Sequence, residues 1–192
     1  CMILSGSFFT IPLPAQQDKL TLEEPILITS CGQSPGPVRL KVFMKRLKFD
    51  YTYNLHAVPA DLTEKKEAGT PYKTLFIVTG ASLKGMGAAG VSMDDELSRI
   101  EALISAAKEA GITIVGTHIE GMSRRAQGAS AGDNSDEQSI DAVCPNADLM
   151  FIKEDGNEDG RFTVISTDKD IPLYTFEKNR DMVTLLKKLF NK

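Results

Sequence analysis

The chain has 192 residues, is 42% hydrophobic and carries a formal net charge of −4. That length and apolar content suit one globular domain with a full core. The charge leaves no overall basic footprint for nucleic acid, and no run of eighteen apolar residues offers a membrane-spanning helix.

Residues 1–15, CMILSGSFFTIPLPA, are apolar and switch abruptly to QQDKLTLEE. They look like the apolar core and cleavage end of a secretory signal whose charged start is missing. A loosely packed arm, or a mature lipoprotein with a lipidated Cys1, are the alternatives. The signal reading makes the protein extracytoplasmic, secreted or associated with the cell envelope. Residues 16–24 are then a polar lead-in, and residues 25–192 a single domain.

Pro25–Ser30 is a first strand, and Pro37 opens a helix to about Lys48 whose apolar face is Leu40, Phe43, Met44 and Leu47. Tyr51–Ala57 is a second strand. Ala60–Ala68 is a short polar helix ended by Gly69 and Pro71. Thr74–Thr79 is a nearly continuous apolar run, as expected of a strand covered on both faces. The Gly-rich stretch GASLKGMGAAG reads as a loop. Ser92 with Asp95 makes a capping box for a helix carrying Leu97, Ile100, Leu103, Ile104 and Ala107 on one face, and Gly111 suits its left-handed end.

A fourth strand starts at Ile112 and runs to His118. The stretch after it, IEGMSRRAQGASAGDN, lacks periodicity and reads as a long loop of the kind that is often functional. Ser135 with Gln138 caps a short helix, Asp148–Lys153 is a fifth strand, and EDGNEDG is a turn. Arg161–Lys169 is ambiguous: its β-branched residues argue for a strand, whereas the strand Ile171–Phe176 that follows argues for a crossover helix, which is the reading adopted. Asn179 is expected to cap a last helix with Met182, Leu185, Leu186 and Leu189 on one face.

Alternating strands and helices predict a single three-layer, doubly wound α/β sheet of the flavodoxin/Rossmann-like kind, ordered 2-1-3-4-5 with a sixth short strand. The switch point then lies between strands one and three. It brings the CGQSPG loop, the GASLKGMGAAG loop and the loop after His118 to one crevice at the carboxyl edge of the sheet. Of three cysteines, only Cys31 and Cys144 lie in the domain. They are expected at opposite ends of the sheet, about 15 Å apart at ~3.3 Å per residue, and therefore as free thiols.

Gly85-Met-Gly87-Ala-Ala-Gly90 spells G-x-G-x-x-G, but it stands too far from the strand and lacks the acidic residue that dinucleotide binding requires. Small residues that let backbones approach explain it better, and no cofactor is expected. Gly80, Ser82, Lys84 and the amides around Gly85 and Gly87 suit an anion nest, with Arg124 and Arg125 as a planar fork for a carboxylate or phosphate. A solvated turn is the plainer alternative.

Cys31-Gly-Gln33-Ser34 after a strand partly looks like the phosphocysteine loop of phosphotransferase-system B subunits; a small thiol at the core edge is the alternative. Asp155–Gly160 matches only the first half of a calcium loop, since Ser166 stands where a bidentate Glu is needed. The two histidines, His56 and His118, lack metal-ligand spacing with Cys, so no metal is expected.

From about Pro25 to Leu189 the chain resembles an uncharacterised bacterial family, a domain of unknown function whose members look like secreted α/β proteins. The matching residues are ILITSCGQS, TGASLKGMGAAG with DDELSR, HIEG with Arg124-Arg125, Ser135-Asp136, and EDGNEDGRF before IPL. The resemblance implies no enzyme activity. In the family pattern a Gly follows the two arginines and Ser-Asp comes soon after; here Ala126 follows and the spacer to Ser135 is longer.

The reading is a binding module for a small anionic ligand. Lys84, Arg124, Arg125 and loop amides would hold it, and Ser30, Gln33, Ser34, Ser82, His118 and Ser135 would surround it. The alternatives are an enzyme using His118 or Cys31 in the same crevice, and a partner-binding protein with no small ligand. The sequence leaves the oligomeric state open.

Overall fold

Six parallel strands make one sheet in the computed structural model, which describes residues 20–125 and 134–192. They are β1 (Ile26–Cys31), β2 (Tyr51–Tyr53), β3 (Thr74–Thr79), β4 (Thr113–His118), β5 (Leu149–Lys153) and β6 (Leu173–Phe176), in the order β2-β1-β3-β4-β5-β6. The signal-like residues 1–15, and residues 126–133 of the long loop, lie outside the described residues. The expected order and the sixth strand are both found. β1 and β3 pair along their whole length, from Ile26 opposite Thr74 to Cys31 opposite Thr79.

Seven α-helices alternate with the strands among the described residues: α1 (Gly36–Arg46), α2 (Pro59–Glu67), α3 (Leu83–Ala89), α4 (Met93–Glu109), α5 (Ser135–Val143), α6 (Arg161–Lys169) and α7 (Met182–Leu189). Strand side chains alternate between the two faces of the sheet. Ile26, Ile28, Phe76, Val78 and Phe151 pack on Leu40 and Met44 of α1 and on Met182, Leu186 and Leu189 of α7. Leu27, Leu75, Ile77 and Ile114 pack on Leu62 of α2 and on Ile100, Leu103 and Ala107 of α4. Met150 and Ile152 meet Ile140 of α5 and Phe162 of α6. Burying each such side chain contributes about 1.5–3 kcal/mol, so exposing even one of them is costly.

Several boundaries differ from the sequence expectation. β2 stops at Tyr53 rather than Ala57, because the Asn54 N–H makes a last rung to the Ile28 carbonyl (3.0 Å) and its side chain then accepts from the His56 N–H (3.1 Å), turning the chain. Asn134, not Ser135, caps α5, accepting from the Glu137 N–H at 3.0 Å. Asn179 starts a 3₁₀ turn rather than capping α7; Asp181 accepts from the Lys178 N–H at 2.9 Å and closes that turn. The capping box of α4 forms as expected, with Ser92 and Asp95 exchanging bonds of 3.1 and 2.8 Å.

The largest correction concerns the Gly-rich stretch, which is helical over α3. Ser82 caps it by accepting from the Gly85 N–H (3.1 Å), and Gly90 ends it in the left-handed region at φ 70°. The expectation that glycine here allows close backbone approach is met at Gly85. A Cβ there would stand 2.2 Å from the Gln33 carbonyl oxygen, whereas one at Gly87 would meet nothing within 4 Å.

These two glycines therefore respond oppositely to alanine. Gly85→Ala is expected to cost about 2–3 kcal/mol through the forced backbone shift. Gly87→Ala, exposed in the same helix, is expected to stabilise by about 0.5–1 kcal/mol. Urea unfolding of both variants checks the pair; equal effects would mean that Gly85 does not support the β1 loop.

Candidate functional site

The β1 and β3 loops meet at the carboxyl edge, as the switch point requires. β1 leaves the sheet through Gly32 (φ 96°) and Gln33 (φ 57°). The Ser82 N–H donates to the Gly32 carbonyl at 2.7 Å, and Gln33 makes an isolated antiparallel bridge to Ala81. A Cβ on Gly80 would lie 3.1 Å from the Ser34 Oγ and 3.5 Å from the Arg124 Cβ, so the segment after β4 joins the same crevice.

What fills the crevice is the protein itself. Glu96, on α4, accepts from the Gly32 N–H (2.9 Å) and the Gln33 side chain (3.0 Å), and Arg99 binds its two oxygens at 3.1 and 2.9 Å. Arg99 also donates to the carbonyls of Ser30 (2.6 Å) and Ala57 (2.9 Å). Burial opposes charge on Glu96, but the Arg99 bond and the Gly32 amide outweigh it and hold its carboxyl below the usual range. Glu120, after β4, accepts from the Gly36 N–H at 3.1 Å and so sits on the N-terminus of α1. Asp136 of α5 accepts from the Ala81 N–H at 2.6 Å, and Ser139 from the Gly80 N–H at 2.9 Å. Burial raises the Asp136 carboxyl, partly offset by that amide and Arg124. The loop amides expected to cradle an external anion hold internal oxygens instead.

The two arginines differ sharply. Arg125, expected in the anion fork, is buried: it binds Glu137 (2.6 Å), Asp159 (2.6 Å) and the Gly156 carbonyl, with its guanidinium over the Phe162 ring. Burial works against its charge, yet the bonds to Asp159 and Glu137 raise its pKa above the ordinary value. Arg161 contacts the other Glu137 oxygen at 3.1 Å and binds Asp141, so this network locks the segment after β4 to α5 and α6. Arg124 stays at the crevice. It donates to the Ala81 carbonyl at 2.6 Å, lies 3.7 Å from Glu120, and its side chain is 28% exposed. Lys84 is exposed in the first turn of α3.

Neither expected catalytic group is available. Cys31 is fully buried, and burial, with the charge of Glu96, pushes its thiol up to about 12. A phosphate-accepting or nucleophilic thiolate needs the opposite shift. Cys144 is buried with a raised pKa as well, and both cysteines are free. His118 is buried with both ring nitrogens engaged: Nδ1 with the Thr79 hydroxyl at 3.0 Å, and Nε2, which donates to the Gly121 carbonyl at 3.0 Å. Burial lowers its pKa to about 4, against the usual 6.5, so it is neutral near pH 7.

Among the other expected residues, Ser30 uses its hydroxyl to accept from the Gln33 N–H (3.0 Å), and Gly87 is exposed on α3 away from neighbouring groups. Ser135 is the half-buried first residue of α5. The turn Asp155–Gly160 caps α6: Asn157 accepts from the Phe162 N–H at 2.8 Å, and Asp159 accepts from the Arg161 N–H at 3.1 Å. The residues that the sequence reading missed are the internal carboxylates. Glu96 stands four residues before Ile100, on the inward stripe of α4, and Glu137 three before Ile140 on that of α5. A charge on an apolar stripe is the signal that was there to find.

Residues 23–190 match a family described as a domain of unknown function, DUF6305. The chain belongs to that family. No curated protein matches its sequence. Solved structures with a similar course are a candidate acylhydrolase from Bacteroides fragilis (12% identity, 94% of this chain and 90% of that one, TM-score 0.40), a GDSL-like lipase from Bacteroides thetaiotaomicron (12%, 86% and 72%, 0.33) and a psychrotrophic esterase from a Pseudoalteromonas species (12%, 86% and 92%, 0.33). Likeness at this level carries nothing about activity.

Two outcomes follow from the site. In the folded DUF6305 domain, Cys31 and Cys144 are expected to resist iodoacetamide at neutral pH and to react after unfolding in urea; mass spectrometry reads the modification. His118 binds its proton at about 4 when folded and about 6.5 when unfolded, so the unfolded state holds more protons between those values. Stability is therefore lost as pH falls from 6.5 to 4, by about 3 kcal/mol from this group. Denaturation of His118→Gln should lack that part of the acid loss; an unchanged pH profile would refute the assignment.

Proposed function

We propose that this domain is a non-catalytic binding module that holds a small anionic ligand, a carboxylate or phosphate compound, at the outer rim of the filled crevice between the β1 and β3 loops. The observation that carries the proposal is the posture of Arg124. Its bond to the Ala81 carbonyl fixes the guanidinium beside the crevice while more than a quarter of the side chain remains open to solvent. Lys84 is exposed in the first turn of α3, two residues after Ser82, and makes no ion pair among the described residues. Ser34 and Ser82 bring hydroxyls to the same edge. Because internal carboxylates occupy the loop amides, ligand binding rests on these side chains rather than on a backbone cradle.

Binding is favoured over catalysis by the residues themselves. Cys31 is protonated and enclosed, His118 is neutral with both nitrogens engaged, and His56 is exposed after the edge strand β2. The proposal includes an extracytoplasmic setting, which rests on the apolar composition of residues 1–15.

Thermal unfolding against a panel of carboxylates, phosphates and nucleotides tests this reading, since a ligand of the native state raises the midpoint by mass action. One anion class is expected to raise it. Lys84→Ala and Arg124→Ala are each expected to weaken binding about ten- to a hundredfold, the worth of one charge-assisted hydrogen bond. Midpoints indifferent to every anion, or binding retained in both variants, would remove the proposal.

A further inference from the structure

The charge of this molecule is divided between its two helical layers. α1 and α7, which share one face of the sheet, carry Arg39, Lys41, Lys45, Arg46, Lys187 and Lys188 and no acidic residue. The helices of the opposite face, α2, α4, α5 and α6, carry twelve acidic residues against six basic ones. Net charge −4 conceals a basic layer.

The outer surface of α1 has a second feature. Val38 and Val42 are 50% and 56% exposed, among the few large apolar side chains left in solvent. At 100° per residue they lie one turn apart at the outermost line of the helix, opposite the buried Leu40 and Met44. Lys41 and Lys45 flank that line on one side, Arg39 and Arg46 on the other. Arg39, Lys45 and Arg46 are exposed and make no ion pair among the described residues. Lys41 lies over the Tyr53 ring at 4.4 Å, with its charge still on this face.

We propose that the α1/α7 layer docks on an anionic lipid surface, with α1 lying along it. An apolar ridge bordered by cations on both sides matches the bilayer interface, where short apolar groups enter the headgroup zone and flanking cations reach the lipid phosphates. A nucleic acid backbone would use the cations and leave the two valines without a role. The acidic opposite layer is repelled by the same surface, so the charge separation also sets the orientation.

Co-sedimentation of the full chain with vesicles tests this. Binding is expected to phosphatidylcholine vesicles containing phosphatidylglycerol, to fall with added salt, and to be far weaker with phosphatidylcholine alone. Arg39→Glu/Arg46→Glu is expected to reduce binding tenfold or more, at ~1 kcal/mol for each cation near an anionic surface. Val38→Ser/Val42→Ser should reduce it with the cations intact, and Glu101→Gln/Glu109→Gln on α4 should not reduce it. Circular dichroism verifies that each variant is folded. Equal binding to both vesicle types, or retained binding in the arginine variant, would overturn the proposal. Vesicle binding indifferent to the valines and competed away by duplex DNA would replace the lipid with a nucleic acid.

Discussion

Carboxylates that are buried, or half-buried in the case of Asp136, and bonded to loop amides hold the carboxyl edge of this sheet together. In doubly wound folds the amides that emerge there are free to meet a ligand at the switch point. Here Glu96 takes Gly32, Glu120 takes Gly36 and Asp136 takes Ala81. A buried carboxylate costs several kcal/mol unless its oxygens find donors. Each of these finds at least one short amide bond, and Glu96 adds Gln33 and a bidentate arginine. Removing such a carboxylate would leave loop N–H groups exposed to the same penalty, so the loops and the acids stabilise one another.

The same arrangement quiets the chemistry of the edge. Cys31 ends β1 in a position where a thiolate could act, but full burial, with the charge of Glu96, keeps it protonated. His118 ends β4 in an equivalent position, yet Thr79 and Gly121 engage both nitrogens and Phe162 lies against the ring at 5.4 Å. Arg125 is drawn away from solvent by Glu137 and Asp159. Arg124 and Lys84 are left with solvent-facing charge, so the proposed anion site rests on side chains alone.

The architecture was legible because strands covered on both faces must be apolar runs, and the runs at Thr74–Thr79 and Asp148–Lys153 have no other use. Even the ambiguous Arg161–Lys169 segment resolved to a helix, since a parallel strand following it demands a crossover. The site was less legible. Gly85 gave a true signal of close approach, but the glycines of α3 suggested a loop, because helix propensity is local and the packing of Gly85 on Gln33 is not. Asp94, Asp95 and Glu96 all stand in the first turn of α4, where acids suit the helix dipole, so that shared role does not single out Glu96 as the one that turns inward. Glu120 carries no sequence signal at all, since its partner Gly36 lies 84 residues away. Net charge, a sum over the whole chain, hid the division between the two helical layers.

That separation has a consequence for how the protein is made. Gly32 waits for Glu96, 64 residues later, and Gly36 waits for Glu120, 84 residues later. At about 5–20 residues per second, the ribosome delivers the second carboxylate roughly 4–17 s after its amide. During that interval the first strand and its loop have a partner strand but an unfinished rim, and their polar groups depend on water. The closing of the edge is thus timed by translation, in two steps: Glu96 is delivered between β3 and β4, and Glu120 just after β4.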